Sequence, residues 1–160
     1  MAISRLMSRR ESSYTFEAAM GEAVVGKELA IDAESVHAVG TIVSTGNPHF
    51  VIFGDAFPPQ WQRQAALIQA QAHFPAGTNV EYVVVRGPNE IEIRLFERGV
   101  GETQSSGTGS CASAVAAIAD RRVASPVTVV APGGAQTVRW EDQVYLRGPA
   151  TLICRGEFFV

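Results

Sequence analysis

Two short segments contain residues whose types and spacing suit chemistry. The first, residues 105–110 with the sequence SSGTGS, directly precedes an apolar stretch over residues 111–119. If that stretch is a helix, the segment lies at its N-terminus, where unpaired amides and the helix dipole favour an anion. Its glycines allow a ligand to approach the backbone, so a small carboxylate could bind there without a basic side chain. The alternative interpretation is a simple N-cap by Ser110 after a glycine turn.

The same segment matches nucleotide-binding patterns only weakly. GTGSCA fits the dinucleotide pattern G-x-G-x-x-A, but no strand leads directly into it and the chain lacks strand–helix–strand units. No G-K-[ST] is present, so a Walker-type phosphate loop is excluded. A small carboxylate therefore remains the preferred ligand.

The second segment, residues 46–49 with the sequence GNPH, is typical of a tight turn at a strand end. Asn47 could bond a carboxylate or an ammonium group, and His49 could be a donor or a base near neutral pH. Taken alone, His49 is interpreted as structural, residues 77–79 as a helix exit, and Glu97-Arg98 as a solvated pair. No spacing of His, Cys, Asp or Glu resembles a metal site, so no metal is predicted.

The elements that must position these segments can be predicted from hydrophobic periodicity and turn residues. Residues 22–35 are predicted to be irregular. An outer helix near residues 60–72 is indicated by a proline pair and by apolar residues at helical spacing. Strands are predicted at residues 14–20, 36–45, 50–53, 81–85, 91–95, 127–130, 137–140, 144–146 and 152–154.

Residues 111–119 have no polar face, which is typical of a helix inside a protein. We expect a helix over residues 107–121 that is enclosed by strands, with Val115 and Ile118 deeply buried. Many short strands around one buried helix favour an α+β fold, in which an antiparallel β-sheet or barrel curls around the central helix.

Composition limits the class of protein. The 160 residues are 46% hydrophobic and have a net charge of −3, which indicates one globular domain without general affinity for nucleic acid or anionic membranes. No apolar run approaches the roughly 18 residues of a membrane helix. Two cysteines do not form a disulfide framework, and we expect a cytoplasmic protein.

Four segments together resemble the diaminopimelate epimerase family. They are a GNPH turn at residues 46–49, a GTN turn at 77–79, an ERG-x-GET loop at 97–103 and a C-G-[ST]-G helix start at 106–109. The resemblance extends from about Tyr14 to the end of the chain. It implies one C-terminal lobe of this family over residues 14–160, with residues 1–13 as a lead-in strand or tail.

The resemblance implies a cofactor-independent isomerase that inverts the α-carbon of a small amino acid. In this family LL-diaminopimelate becomes meso-diaminopimelate during lysine biosynthesis, with a thiolate and a thiol acting on opposite faces. His49 and Glu97 would support proton transfer, and Ser106 occupies the position of the family's catalytic cysteine. The substrate's amino and carboxylate groups would bind Asn47, Asn79, Glu97, Arg98 and the amides of Gly107 and Thr108.

Two departures from the family pattern affect the expected activity. A serine hydroxyl at position 106 keeps its proton at neutral pH unless a strong base lies beside it, and no residue close in sequence is an obvious activator. Cys111, five residues further on, is interpreted as core packing. The chain is also about half the family's length and has no second segment of the CG-x-G type. We therefore expect negligible epimerase activity from the isolated chain.

Several alternatives remain open. The partner could be a first lobe on another chain, or a second copy in a homodimer. The chain could instead be an isomerase or dehydratase that needs one acid/base, or a non-catalytic amino-acid-binding module. Residues 156–160 are too apolar for a free tail, so we expect them to pack on a partner or to fold back.

Overall fold

The computed structural model describes residues 4–10, 12–33 and 36–157. Within these ranges the chain forms two helices, α1 (Trp61–Gln69) and α2 (Gly107–Ala119). The first strands are β1 (Ser4–Arg10), β2 (Ser13–Gly21), β3 (Val24–Ala33), β4 (Val36–Ser44), β5 (Pro48–Phe53) and β6 (Asn79–Gly87). They are followed by β7 (Glu90–Glu97), β8 (Gly101–Thr103), β9 (Val127–Ala131), β10 (Gly134–Trp140) and β11 (Val144–Thr151).

All described strands belong to one mixed sheet. Their order is β1-β2-β11-β10-β9-β7-β6-β5-β4-β3, with β8 paired to β7 outside this path. The pairs β5–β6 and β7–β9 are parallel, and the other pairs are antiparallel. Each parallel pair is bridged by a helix, as a crossover connection requires. The predicted α+β class is confirmed, and the sheet remains open between β1 and β3 instead of closing into a barrel.

Helix α2 forms the centre of the larger core. All residues from 109 to 117 are buried, and they pack with inward-facing residues of β4 to β7 and of β9 to β11. This confirms the enclosed helix, with Val115 fully buried. Ile118 is only partly buried, contrary to expectation, and the helix ends at Ala119 because Arg121 has a positive φ of 56°.

Helix α1 covers the opposite face of the sheet. Its buried residues Trp61, Ala65 and Ile68 belong to a second core cluster with Phe50 and Val80. The outer helix therefore forms as predicted, but it ends at Gln69. Neither helix within the described ranges is long and apolar enough to cross a membrane.

Two predictions about strands were wrong. Residues 22–35 were expected to be irregular, but Val24–Ala33 is strand β3 at an edge of the sheet, where only its last part alternates between buried and exposed. Residues 152–154 were expected to be a strand, yet pairing ends where Thr151 meets Ser13, the first residue of the neighbouring β2. Residues 158–160, named in the expectation for the C-terminal segment, lie outside the described residues.

Candidate active site

The GNPH and GTN turns meet because they precede two parallel strands. Strand β5 begins with the GNPH turn and β6 with the GTN turn, and the register places His49 opposite Asn79. Parallel neighbours begin at the same edge of a sheet, so residues thirty positions apart in sequence become neighbours. This edge is where the polar residues singled out in the sequence collect.

Strand β7 brings Glu97 and Arg98 to the same edge, because it runs antiparallel to β6 and ends there. The backbone amide of Arg98 donates to Asn79 Oδ1 at 2.9 Å, and Asn79 Nδ2 donates to the carbonyl of Pro48 at 2.9 Å. Both ends of the Asn79 amide therefore bond to the protein. This side chain holds the two turns and the end of β7 together.

Arg98 is exposed at the rim of this edge, and its guanidinium donates to the carbonyl of Ala76 at 2.8 Å. Gly77 has a φ of +72°, and a Cβ there would lie 2.8 Å from Arg98 Cδ. Glycine is thus required both by the backbone conformation and by the arginine stem. In this structure Arg98 supports the GTN turn.

The start of α2 completes the edge, and its N-cap is Ser106, not Ser110 as the alternative interpretation held. Ser106 Oγ accepts from the amide of Gly109 at 3.3 Å, and the carbonyl of Ser106 accepts from the amide of Ser110 at 3.0 Å. The two preceding amides, those of Gly107 and Thr108, come before the first intrahelical hydrogen bonds. They are donors suited to an anion.

Glu97 contacts the N-cap directly. Ser106 Oγ donates to Glu97 Oε2 at 3.3 Å, and Thr103 Oγ1 donates to Glu97 Oε1 at 2.7 Å. The short strand β8 folds back on β7 and creates this proximity. The sequence showed no activator near Ser106, whereas the structure places a carboxylate beside its hydroxyl.

Asn47 and His49 lie between the sheet edge and the helix start. His49 Nε2 is 3.0 Å from Asn47 Oδ1, and Asn47 Nδ2 is 3.5 Å from Thr108 Oγ1. The GNPH turn is therefore connected to the first turn of α2. Glu97 and Ser106 lie at the same helix start, and these four residues are called the polar cluster below.

Glu81 adjoins this cluster, and the sequence analysis missed it. Its Oε1 lies 2.7 Å from His49 Nδ1, and both side chains are 1% exposed. Burial raises the pKa of Glu81 above its ordinary value of 4.5; the His49 contact lowers it and nearby Glu97 raises it, with a net increase. The sequence did contain a signal for it: Glu81 is a carboxylate in a largely apolar strand, and it points to the same face of the sheet as Asn79 and Val83.

Cys111 is fully buried in α2, in agreement with its interpretation as a core residue. Burial raises the pKa of its thiol to about 12, so the thiol is protonated near neutral pH and cannot replace a surface thiolate. Among the described residues, no group of three or more His, Cys, Asp or Glu side chains is placed to hold a metal ion.

Comparison with solved structures defines the class of fold. A predicted epimerase from Pseudomonas aeruginosa matches with a TM-score of 0.66 and 17% identity, over 96% of this chain and 64% of that one. A hydroxyproline epimerase from Agrobacterium vitis matches with a TM-score of 0.65 and 15% identity, over 86% and 51% of the two chains. The chain thus has the fold found in amino-acid epimerases and racemases.

The family is defined by sequence comparison. The family model described as diaminopimelate epimerase matches residues 41–153, more than half of the chain, so this protein belongs to the diaminopimelate epimerase family. The diaminopimelate epimerase of Desulfitobacterium hafniense is 39% identical over 139 residues, covering 85% of this chain and 48% of the relative. That of Parabacteroides distasonis is 35% identical over 158 residues, covering 95% and 58%. The chain spans about half the length of the curated relatives it matches.

Proposed function

We propose that this chain carries one half of a cofactor-independent amino-acid epimerase site, of the type that converts LL- to meso-diaminopimelate in lysine biosynthesis. Residues 14–160 would be the C-terminal lobe, with residues 1–13 leading into it. The observation that supports this best is the polar cluster at one sheet edge, where Asn47, Glu97 and Ser106 surround the start of α2. Asn47, His49, Asn79 and Glu97 lie in segments that resemble the family motifs, and Ser106 stands at the position of the family's cysteine. A cytoplasmic location follows from this role.

The substrate's α-carboxylate would bind at the start of α2. The amides of Gly107 and Thr108 are the donors there, and Asn47 Nδ2 lies on the same side, 3.5 Å from Thr108 Oγ1. These donors would stabilise negative charge that develops when the α-proton leaves. Asn79 and Arg98 would shape this binding site indirectly, because they hold the neighbouring turns in place. Glu97 would bind the α-ammonium group of the substrate.

Inversion needs an acid and a base on opposite faces of the α-carbon, and at the start of α2 the family's thiol is replaced by the hydroxyl of Ser106. The Ser106 hydroxyl donates to Glu97, but a carboxylate is far too weak a base to convert it into an alkoxide. His49 and Glu97 would support proton transfer, yet the opposite face would still need a partner. We therefore propose that this lobe requires a first lobe, or a second copy, to complete the site, and has negligible activity alone.

A second candidate function is supported by the contact between Glu97 and Ser106. A carboxylate at this position could itself remove a proton from a substrate bound at the helix start, as a one-base isomerase or dehydratase would require. Such an enzyme would exchange one substrate proton with solvent without inverting the carbon. A non-catalytic amino-acid-binding module would bind the same ligand and exchange nothing.

Incubation with LL-diaminopimelate, followed by NMR, separates these functions. Binding is measured from amide resonances in ordinary water, and proton exchange at the α-carbon is measured in a parallel sample in heavy water. We expect the isolated chain to shift the amide resonances of Gly107 and Thr108 without deuterium appearing at the α-carbon. Ser106→Cys should restore exchange only when a first lobe with its own cysteine is added, and Ser105→Cys is the matched control. Exchange without inversion would support the one-base alternative. Rapid two-way exchange by the unmodified chain, or unshifted amides, would contradict the proposal.

A further inference from the structure

A line of hydrogen-bonding groups runs from the buried interior to the start of α2. Glu81 Oε1 lies 2.7 Å from His49 Nδ1, and His49 Nε2 lies 3.0 Å from Asn47 Oδ1. The other end of that amide, Asn47 Nδ2, lies 3.5 Å from Thr108 Oγ1. Glu81 is thus connected to the helix start through His49 and Asn47. The imidazole of His49 can carry its proton on either nitrogen, and the amide of Asn47 can take either of two orientations.

The number of protons that Glu81 and His49 hold together determines the orientation of the Asn47 amide. A neutral imidazole has one donor nitrogen and one acceptor nitrogen. If Glu81 is ionised and His49 neutral, Nδ1 must donate to the carboxylate. Nε2 is then an acceptor, and it requires the amino group of Asn47.

One additional proton reverses this requirement. If that proton resides on Glu81, the carboxyl group donates to Nδ1, and Nε2–H then needs an acceptor. If it resides on His49, both ring nitrogens donate, and Nε2–H again needs an acceptor. In either case Asn47 must direct its Oδ1 toward His49 and its amino group toward α2.

The observed geometry is that of the protonated arrangement. Asn47 Oδ1 faces His49 Nε2 and also accepts from Thr45 Oγ1 at 3.3 Å, so two donors meet at this oxygen. Glu81 Oε2 is buried and has no hydrogen-bond partner among the described residues. A buried carboxylate with one oxygen unpartnered is costly when ionised, which favours keeping the proton on the pair.

The charged group near the Glu81–His49 pair also favours the state in which the pair keeps its proton. Glu97 at the end of β7 is the other carboxylate whose field reaches Glu81, and it raises the pKa of Glu81. Helix α2 packs against Glu81 through Gly109, where a Cβ would lie 3.0 Å from Glu81 Oε1. That helix has no charged side chain. On β4, the titratable side chain is the exposed His37, which is paired with Asp32.

We propose that Glu81 is a positioning residue whose shared proton with His49 determines which end of the Asn47 amide faces the helix start. With the proton in place, the amino group of Asn47 faces α2 and suits a carboxylate. When the proton leaves, the amide turns and presents its carbonyl oxygen, which repels a carboxylate. The effect on a bound carboxylate rests on the proposed function, whereas the coupling among Glu81, His49 and Asn47 does not.

The coupling can be tested on the ligand-free chain by an NMR titration from about pH 4.5 upward, because the pKa of Glu81 is raised above 4.5. As pH rises, we expect the ¹⁵N shifts of His49 to change so that Nε2 becomes an acceptor, together with the side-chain amide resonances of Asn47. Glu81→Gln mimics the protonated carboxyl group, since its amide can donate to Nδ1, and should abolish the change at Asn47. The charge-matched control is Glu102→Gln on the exposed strand β8.

Acetate serves as the carboxylate probe for the consequence at the helix start. We expect its affinity to fall about tenfold across the same transition, as loss of one hydrogen bond to a charged group predicts, and to change less in Glu81→Gln. The proposal is overturned if His49 and Asn47 do not change together in the unmodified chain, whether or not the variant folds. If they change together but acetate binds nowhere near Gly107, the proposed function fails while the coupling stands.

Discussion

Among the described residues, two pairs of a histidine and a carboxylate can be compared, and they differ almost entirely in environment. His49 Nδ1 lies 2.7 Å from Glu81, and His37 Nδ1 lies 2.5 Å from Asp32. The side chains of the first pair are 1% exposed, whereas those of the second are 78% and 77% exposed. The geometry is similar, but water and salt screen the second pair and not the first. Burial is what couples a proton to the arrangement of neighbouring groups.

The two pairs also originate differently. Asp32 and His37 face each other across neighbouring antiparallel strands β3 and β4, only five residues apart in sequence. His49 and Glu81 are separated by 32 residues and meet because a helical crossover makes β5 and β6 parallel. The exposed pair is a local surface feature, while the buried pair depends on the whole fold.

The largest expected effect is the loss of stability when the buried pair is broken. His49→Ala leaves the buried Glu81 carboxyl group without its hydrogen-bond partner and removes a buried ring from the interior, which together cost about 3 to 5 kcal/mol. The free energy of unfolding in urea measures this cost. The exposed His73→Ala is the control and should stay near the wild-type value. A loss below about 1 kcal/mol for His49→Ala would show that the buried pair contributes little to the free energy of unfolding.

A smaller effect is expected when the pair stays intact but the helix above it is displaced. In Gly109→Ala the new Cβ would lie 2.6 Å from Leu95 Cδ2 and 3.0 Å from Glu81 Oε1. Overpacking of this kind costs about 1 to 3 kcal/mol, even though alanine has the higher helix propensity. Thermal and urea unfolding measure the change.

The matched control lies in the same helix. The hydroxyl of Ser113 is buried and has no partner among the described residues, so Ser113→Ala should cause no loss of stability. If Gly109→Ala were as stable as the unmodified chain, the close approach of α2 to Glu81 would not constrain the pair.

The third prediction concerns pH. Because the pKa of Glu81 is raised above 4.5, folding favours its protonated form. Its contribution to stability is therefore complete below about pH 4.5 and is lost as pH rises through the folded-state pKa. Relative to the unmodified chain, Glu81→Gln should gain stability as pH increases, whereas Glu102→Gln should not. A constant difference between Glu81→Gln and the unmodified chain across pH would contradict this sign.

Much of the fold was predictable because local signals agreed with the tertiary structure. Residues 111–119 lack a polar face, and they form the buried helix. Strand β3 was missed because it lies at a sheet edge, where Lys27, Glu28 and Asp32 face water and obscure the alternation. The parallel pairing of β5 with β6 was also missed, since pairing partners depend on contacts far apart in sequence.

The candidate site was predictable where turns and glycines mark it, as at residues 46–49 and 106–109. Glu81 could not be identified in the same way, because a carboxylate within a strand is usually solvated. Its importance follows from the pairing of β5 with β6 and from the helix that covers it. The contact between Glu97 and Ser106 likewise depends on the fold-back of β8.

The smallest change in the free energy of unfolding is expected when the exposed pair of Asp32 and His37 is broken. Asp32→Asn and His37→Ala should each change the free energy of unfolding by no more than about 0.5 kcal/mol, because exposed ion pairs gain little over solvation. A double-mutant cycle should give a coupling energy near zero for Asp32 with His37, and a clearly larger one for Glu81 with His49. Added salt should reduce the first coupling further and leave the second unchanged. Equal coupling energies in the two cycles would mean that the short distance between histidine and carboxylate, and not burial, determines the strength of each pair.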